Sequence, residues 1–299
     1  MTPACPPYDS CLREACLRRL ACGKQALGRQ ALWRSEVGRR ARLLLILLLL
    51  AGGAQILNCY AQTSESKEQA KKLLRSKPIH FLENKGQIMD AEGNPVPSVL
   101  FKAESPNADL YITDKGVTFL FFEINDGEGE REEKPNEVKY AKVDMELSGA
   151  KIKKENIVKE NPSATDFNFF FTHCPDGIYG VKEYEEFTVK EIYPGIDWRW
   201  YNNKNGIKHE FIVHPGADAS RIKWSYKWQK SVNKNEKGEL VIEAPLGEYK
   251  ESKPFCFEKN SGKEISCDYQ IQRSGVHFDL DTYNHEDTLV IDPGMDLQW

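Results

Sequence analysis

After residue 78 the chain alternates apolar and polar residues with a period of two, in short runs rich in Val, Ile, Phe, Tyr and Trp. Gly, Asn, Asp or Pro breaks these runs about every eight to twelve residues, the spacing of an all-β domain. A period of two sends successive side chains to opposite sides of an extended strand. The runs predict strands over 99–103, 108–113, 117–123, 138–147, 166–171, 187–192, 196–201, 207–214, 222–227, 239–243, 254–258, 264–271, 276–280 and 288–291. About 14 strands in the 238 residues after Ala61 predict an antiparallel β-sandwich-like domain over residues 78–299, built as one large or two small sandwiches.

The stretch PGIDWRWYNNKNGIKHEFIVHPG, residues 194–216, carries the densest set of chemically capable side chains. Alternation puts Ile196, Trp198 and Trp200 on one side and Asp197, Arg199 and Tyr201 on the other. Asn205-Gly206 is a strong two-residue hairpin signal. With those residues as the loop, Trp200 falls opposite Phe211, Trp198 opposite Val213 and Asp197 opposite His214. Ile207, His209, Phe211 and Val213 then share the apolar face. The stretch reads as a half-buried hairpin with a structural Asp197–His214 pair. A catalytic pair would need a nucleophile, and the GxSxG, HExxH, GxGxxG and GxxxxGK patterns are absent. His209 and His214, five apart, project to opposite faces and cannot share a metal.

Two further stretches matter. In KWSYKW, alternation aligns Trp224, Tyr226 and Trp228 on one face, either a core row or a platform for stacking sugars. In KPFCFEKNSGKEISCDYQ a hairpin is predicted to turn near Asn260–Gly262. A four-residue connection sets Cys256 opposite Cys267 for a disulfide and leaves Cys174 unpaired, whereas a connection shorter by one residue sends the two thiols to opposite faces.

The N-terminal part differs from all of this. Residues 39–51, RRARLLLILLLLA, place an apolar run behind three arginines, and Ala61 follows at a position suited to signal cleavage. Residues 37–61 read as an export signal cleaved at Ala61; the competing reading is a membrane anchor over 43–60. Gly52, Gly53, Gln55 and Asn58 dilute the run before the roughly 20 apolar residues that a span requires. Residues 1–36 are too long for the charged front of a signal and read as an upstream extension, with translation beginning near Val37. Residues 62–77 are a polar linker. The expected location is secreted or cell-surface, with the membrane contacted only through the hydrophobic segment.

Charge sharpens the split. Of 41 Lys/Arg and 45 Asp/Glu, the first 61 residues hold nine and three, leaving 32 and 42 and a net charge of −10 beyond them. So acidic a surface disfavours nucleic acid as a partner. The acidic loop with Asp126, Glu128 and Glu130 lacks the glycine and the final glutamate of a calcium loop. Of eight cysteines only Cys174, Cys256 and Cys267 follow the hydrophobic segment, in no zinc spacing. No metal or cofactor is expected.

The segments FLENKGQ (81–87), VLFKAESPNADLYITDKGVTFLF (99–121), YPGIDW (193–198), HEFIVHPGADAS (209–220), GELVIEAPLGEYKESKPF (238–255) and TLVIDP (288–293) occur in this order. In them the chain resembles the N-terminal domain of unknown function that precedes SBBP-type β-propeller repeats in large secreted proteins, many of them from Bacteroidetes. The resemblance implies a surface location, a β architecture and a propeller beginning just after VIDP. No propeller follows within the 299 residues, so a truncated member or a domain surviving alone is expected. The resemblance supplies no catalytic residues. The leading expectation is a non-catalytic exported β module, the structural or binding N-terminal part of a surface protein. The alternative is a glycan-binding or glycan-active protein that uses Trp198, Trp200, Trp224 and Trp228.

Overall fold

The computed structural model describes residues 79–90, 92–105, 108–125, 137–171, 174–203 and 206–296. The readings for the extension 1–36, the hydrophobic segment 37–61 with Ala61, the linker 62–77, the loop carrying Asp126, Glu128 and Glu130, and positions 204 and 205 lie outside the described residues.

The described chain is all-β and antiparallel. Its strands are β1 (Phe81–Glu83), β2 (Val99–Glu104), β3 (Ala108–Thr113), β4 (Gly116–Asn125), β5 (Glu137–Leu147), β6 (Ile157–Phe171) and β7 (Cys174–Tyr193). Next come β8 (Ile196–Asn203), β9 (Gly206–Val213), β10 (Lys223–Lys227), β11 (Ser231–Lys234), β12 (Leu240–Ala244) and β13 (Gly247–Glu251). The last are β14 (Phe255–Glu258), β15 (Glu264–Ile265), β16 (Cys267–Gln272), β17 (Gly275–Leu280), β18 (Leu289–Asp292) and β19 (Met295–Asp296).

One sheet runs β15-β14-β18-β9-β8-β7-β1-β2-β3-β4-β5-β10-β17-β16, with β6 paired to β7 off this path. Its two end strands are consecutive in sequence, separated by Ser266 alone, so the sheet curls back on itself and nearly closes. Cys256 of β14 and Cys267 of β16 are joined by a disulfide, with Cα atoms 6.2 Å apart, which ties the two ends together. Cys256 lies opposite Ile265, not Cys267. The hairpin therefore ends before Cys267, and the disulfide forms across the seam of the sheet rather than across a hairpin rung.

A ring of so many strands is too wide to be filled by its own side chains. The second sheet, β11-β12-β13-β19, supplies what is missing: Leu240, Ile242, Ala244, Tyr249 and Met295 join the same apolar core as the large sheet. Phe119 of β4 stacks on Tyr249 of β13 at 4.3 Å between centroids. On the other side an aromatic chain runs from Phe101 to Phe187 (4.1 Å), Trp200 (6.4 Å), Trp198 (5.0 Å) and Phe211 (6.0 Å), then to Phe278 (5.9 Å) and Trp224 (5.0 Å). Phe81, from the short β1, lies edge-on to Phe187 and Trp200.

The hairpin of β8 and β9 keeps the predicted faces but not the predicted register. Trp200 faces His209, Trp198 faces Phe211 and Asp197 faces Ile212, because the connection begins after Asn203, which pairs with Gly206. The pairing is displaced by two residues. A side-chain period of two leaves every residue on its expected side under such a shift. Three of the proposed sugar-contacting aromatics are consequently core residues: Trp198 and Trp200 have no exposed surface, and Trp224 has 2 %. Trp228 alone of the four is exposed, at 66 %. It departs from the row that Trp224 and Tyr226 form because β10 ends at Lys227 and Trp228 takes φ +68, which turns its side chain outward.

Candidate functional site

Asp197 heads the first cluster. Strand β7 carries three residues, Lys190 to Ile192, where β8 has only Asp197, so β7 bulges there. Glu191 in the bulge has φ +55, a conformation that a non-glycine residue holds only when its surroundings compensate. Asp197 compensates. Its Oδ1 accepts from the Glu191 backbone N–H at 2.9 Å, and its Oδ2 accepts from Lys190 Nζ at 2.9 Å and lies 2.8 Å from His214 Nε2. Burial by itself would raise this carboxyl, but those three donors hold it below its ordinary value. The Asp197–His214 pair therefore exists as a diagonal contact, and both carboxylate oxygens are engaged in holding the bulge. Beside it Arg199 grips Glu186 through two bonds of 2.6 and 2.8 Å, reaches Glu210 at 2.9 Å and lies over the Tyr201 ring. The polar side of the hairpin is thus a bidentate charged lattice across β7, β8 and β9.

The second cluster is interior. Glu251 of β13 is buried, with Tyr226 Oη 3.3 Å from Oε1 and Tyr269 Oη 3.4 Å from Oε2. Tyr226 accepts from Trp224 Nε1 at 3.0 Å, and Tyr269 donates to the Ser252 carbonyl at 2.9 Å. Burial pushes Glu251 up to about 7, against the two tyrosine hydroxyls, and raises Tyr226, Tyr249 and Tyr269 well above the ordinary phenol value. His209 lines the same gap as Glu251, together with Met145, Phe211, Trp224, Phe278 and Pro293. That gap is too narrow for a water molecule.

Burial and the neighbouring Lys208 drive His209 down to about 3, so the ring is neutral. Trp198 Nε1 donates to His209 Nδ1 at 3.2 Å, which places the ring proton on Nε2, where it finds no partner. Strongly displaced ionisations mark functional sites when a cleft reaches them. Here packed aromatic side chains surround the groups. Sequence reading placed Tyr226 in the KWSYKW row but missed Glu251 and Tyr269. The alternation Gly247, Tyr249, Glu251 carried the signal, since it places the glutamate on the same side as the buried tyrosine.

The third is the surface around Trp228. The Lys142 ammonium sits 5.7 Å from the centre of its ring. Lys142 Nζ is 3.1 Å from Asp144 Oδ2, and Thr118 Oγ1 donates to Asp144 Oδ1 at 2.6 Å. Elsewhere, Phe170 and Tyr179 meet edge to face at 5.5 Å on the β6–β7 hairpin, 65 % and 59 % exposed. Cys174 at the start of β7 is a free thiol. Among the described residues no group of three or more His, Cys, Asp or Glu side chains is placed to hold a metal ion.

The segments that carry the resemblance do architectural work. In FLENKGQ, Phe81 enters the core and Glu83 accepts from the Lys182 N–H and pairs with Lys85 and Lys159. Asn84 Nδ2 donates to the carbonyls of Val96 and Val99, while its Oδ1 accepts from the Gly86 N–H. In YPGIDW, Gly195 has φ +72, and a Cβ there would come within 2.8 Å of Ala217 Cβ, so the turn requires glycine. In HPGADAS, Asp218 caps the following 3-10 turn through the Ser220 N–H.

Neither the curated proteins nor the solved structures contain a match to this chain. A family described only as a domain of unknown function, DUF7948, matches residues 81–294, from β1 to the residue before β19. The span covers every strand except β19, and the chain belongs to the DUF7948 family.

Proposed function

We propose that this chain is a non-catalytic exported β module, the structural or binding N-terminal part of a secreted or cell-surface protein, whose partner is a β-propeller module, another surface protein or a glycan. The observation that carries the reading is the Cys256–Cys267 disulfide across the seam of the large sheet. Such bonds persist in oxidising compartments and are rare in reducing ones. The export signal read at 37–61 supports the same conclusion. The engagement of Asp197, Arg199, Glu83 and Asn84 in holding backbone and register favours a scaffold over a reaction centre. Membrane contact, on this reading, runs through the N-terminal hydrophobic segment, and nucleic acid is not a partner.

Thiol counting on protein from its own cells tests it. After denaturation without reductant, only Cys174 of the three C-terminal cysteines should react with maleimide, and cell fractionation should place the chain at the surface or in the medium. Reaction of Cys256 and Cys267 without reductant, together with a cytosolic location, would overturn the proposal. A binding role for glycans is the second reading, and the exposure of Trp228 favours it.

A further inference from the structure

Trp228 is placed outside the protein against two ordinary tendencies. Continued alternation from Trp224 and Tyr226 would direct it inward, and a large side chain at φ +68 occupies a sparsely populated backbone region. Strain of this kind persists where the surrounding structure or a role sustains it. Its consequence here is an indole standing 66 % exposed beside the outer face of β5. Polar groups on that face converge next to the ring. Lys142 and Asp144 alternate on β5 and so project to the same side, with Tyr140 preceding them in the same row. Lys142 lies over the ring, Asp144 is held by Lys142 and by Thr118 of β4, and Tyr140 packs against the small cluster of Val96, Val99, Tyr111 and Leu120. These groups are fixed to one another before any ligand arrives.

We propose that Trp228, Lys142 and Asp144 form a carbohydrate-contacting site for an uncharged pyranose chain. A pyranose presents an apolar face of C–H bonds and a rim of hydroxyls that donate and accept. An exposed indole matches the face, an ammonium donates to the rim and a carboxylate accepts from it. A few positioned polar groups beside an aromatic surface are what orient a small ligand. The lysine and aspartate together carry no net charge, and the acidic balance of residues 62–299 disfavours anionic polysaccharides, so the ligand class is neutral. The proposal rests on the binding-module reading above. Its failure would leave the thiol count and the location untouched.

The test uses the full chain, held in a sugar-free detergent, titrated calorimetrically with cellohexaose, xylohexaose, mannohexaose and N-acetylchitohexaose. At least one should bind, with Trp228→Ala weakening that binding about tenfold or more, and Lys142→Gln and Asp144→Asn weakening it by smaller factors. Trp228→Gly separates contact from support: glycine adopts φ +68 without strain, so this variant should lose binding while its melting temperature stays equal or rises. The proposal is overturned if none of the four oligosaccharides binds, or if Trp228→Ala binds as the parent does. A fall in the melting temperature of Trp228→Gly comparable to that of a core tryptophan variant would also overturn it, since the ring would then be serving as support.

Discussion

Trp200 and Trp228 are the same residue in opposite circumstances, and the contrast shows what residue type alone can say. Trp200 lies inside the β8–β9 hairpin with Phe187, Trp198 and His209 packed on it and no exposed surface. Trp228 stands outside, a single residue beyond the end of β10, with a lysine over its ring. The first is positioned by alternation and contributes to the core; the second is positioned by a left-handed backbone and contributes nothing to it. A tryptophan is evidence of burial where the strand continues through it, and of a surface role where the chain departs from the strand to expose it.

Trp200→Ala removes a fully enclosed side chain and should cost about 3–5 kcal/mol, against about 0.5 kcal/mol or less in either direction for Trp228→Ala. Urea unfolding of the two variants measures both. Equal midpoints would mean that the hairpin is not core.

Closure of the sheet around that core is the next lever. Cys256→Ser opens the seam across a sequence separation of 11 and should lower stability by about 3 kcal/mol. An unchanged unfolding midpoint would show that the ends of the sheet stay together without the disulfide.

The interior charges sharpen the contrast through pH. Glu251 is raised from 4.5 to about 7, so its contribution to stability is fully present below 4.5 and is lost as pH rises to about 7. His209 is lowered from 6.5 to about 3, so its contribution is present above 6.5 and is lost as pH falls to about 3. Between 4.5 and 6.5 the two slopes are opposite and cancel. Glu251→Gln should remove one of them, so that relative to the parent its stability rises with pH across that window by about 1.4 kcal/mol per pH unit. Urea midpoints recorded at half-unit intervals give the difference, and parallel profiles for variant and parent would refute the assignment.

The smallest effect is expected on the outer side of the hairpin. Asp197→Asn leaves one acceptor for the three donors of the bulge and should cost about 1–2 kcal/mol with the fold retained. Because the carboxyl is held below its ordinary value, the parent's advantage should be present at neutral pH and fade as pH falls through that lowered value. Hydrogen exchange at the Glu191 amide should accelerate in the variant; an unaltered rate there would remove Asp197 from its role.

Much of this architecture was legible before any coordinates. A period of two needs no tertiary information, because it follows from the geometry of the extended chain, and β3 at Ala108–Thr113 falls at its predicted bounds. The faces of Trp198, Trp200, Asp197 and His209 follow from the same rule, and they survived a register displaced by two residues because that displacement preserves parity. Strands β1, β11, β13 and β19 escaped it, and β1 and β19, of three and two residues, are too short for alternation to register.

What the tertiary structure alone decided concerns positions distant in sequence or set by a single dihedral. The near closure of the sheet depends on β15 and β16 reaching opposite ends of a path that runs through twelve other strands, which no local pattern encodes. The ionisation of Glu251 and His209 depends on burial by residues from strands far apart in sequence. The outward turn of Trp228 depends on one backbone angle that alternation would have set the other way. Local order follows from side-chain period; enclosure, and therefore which groups are desolvated and which remain in water, follows only from how the strands assemble.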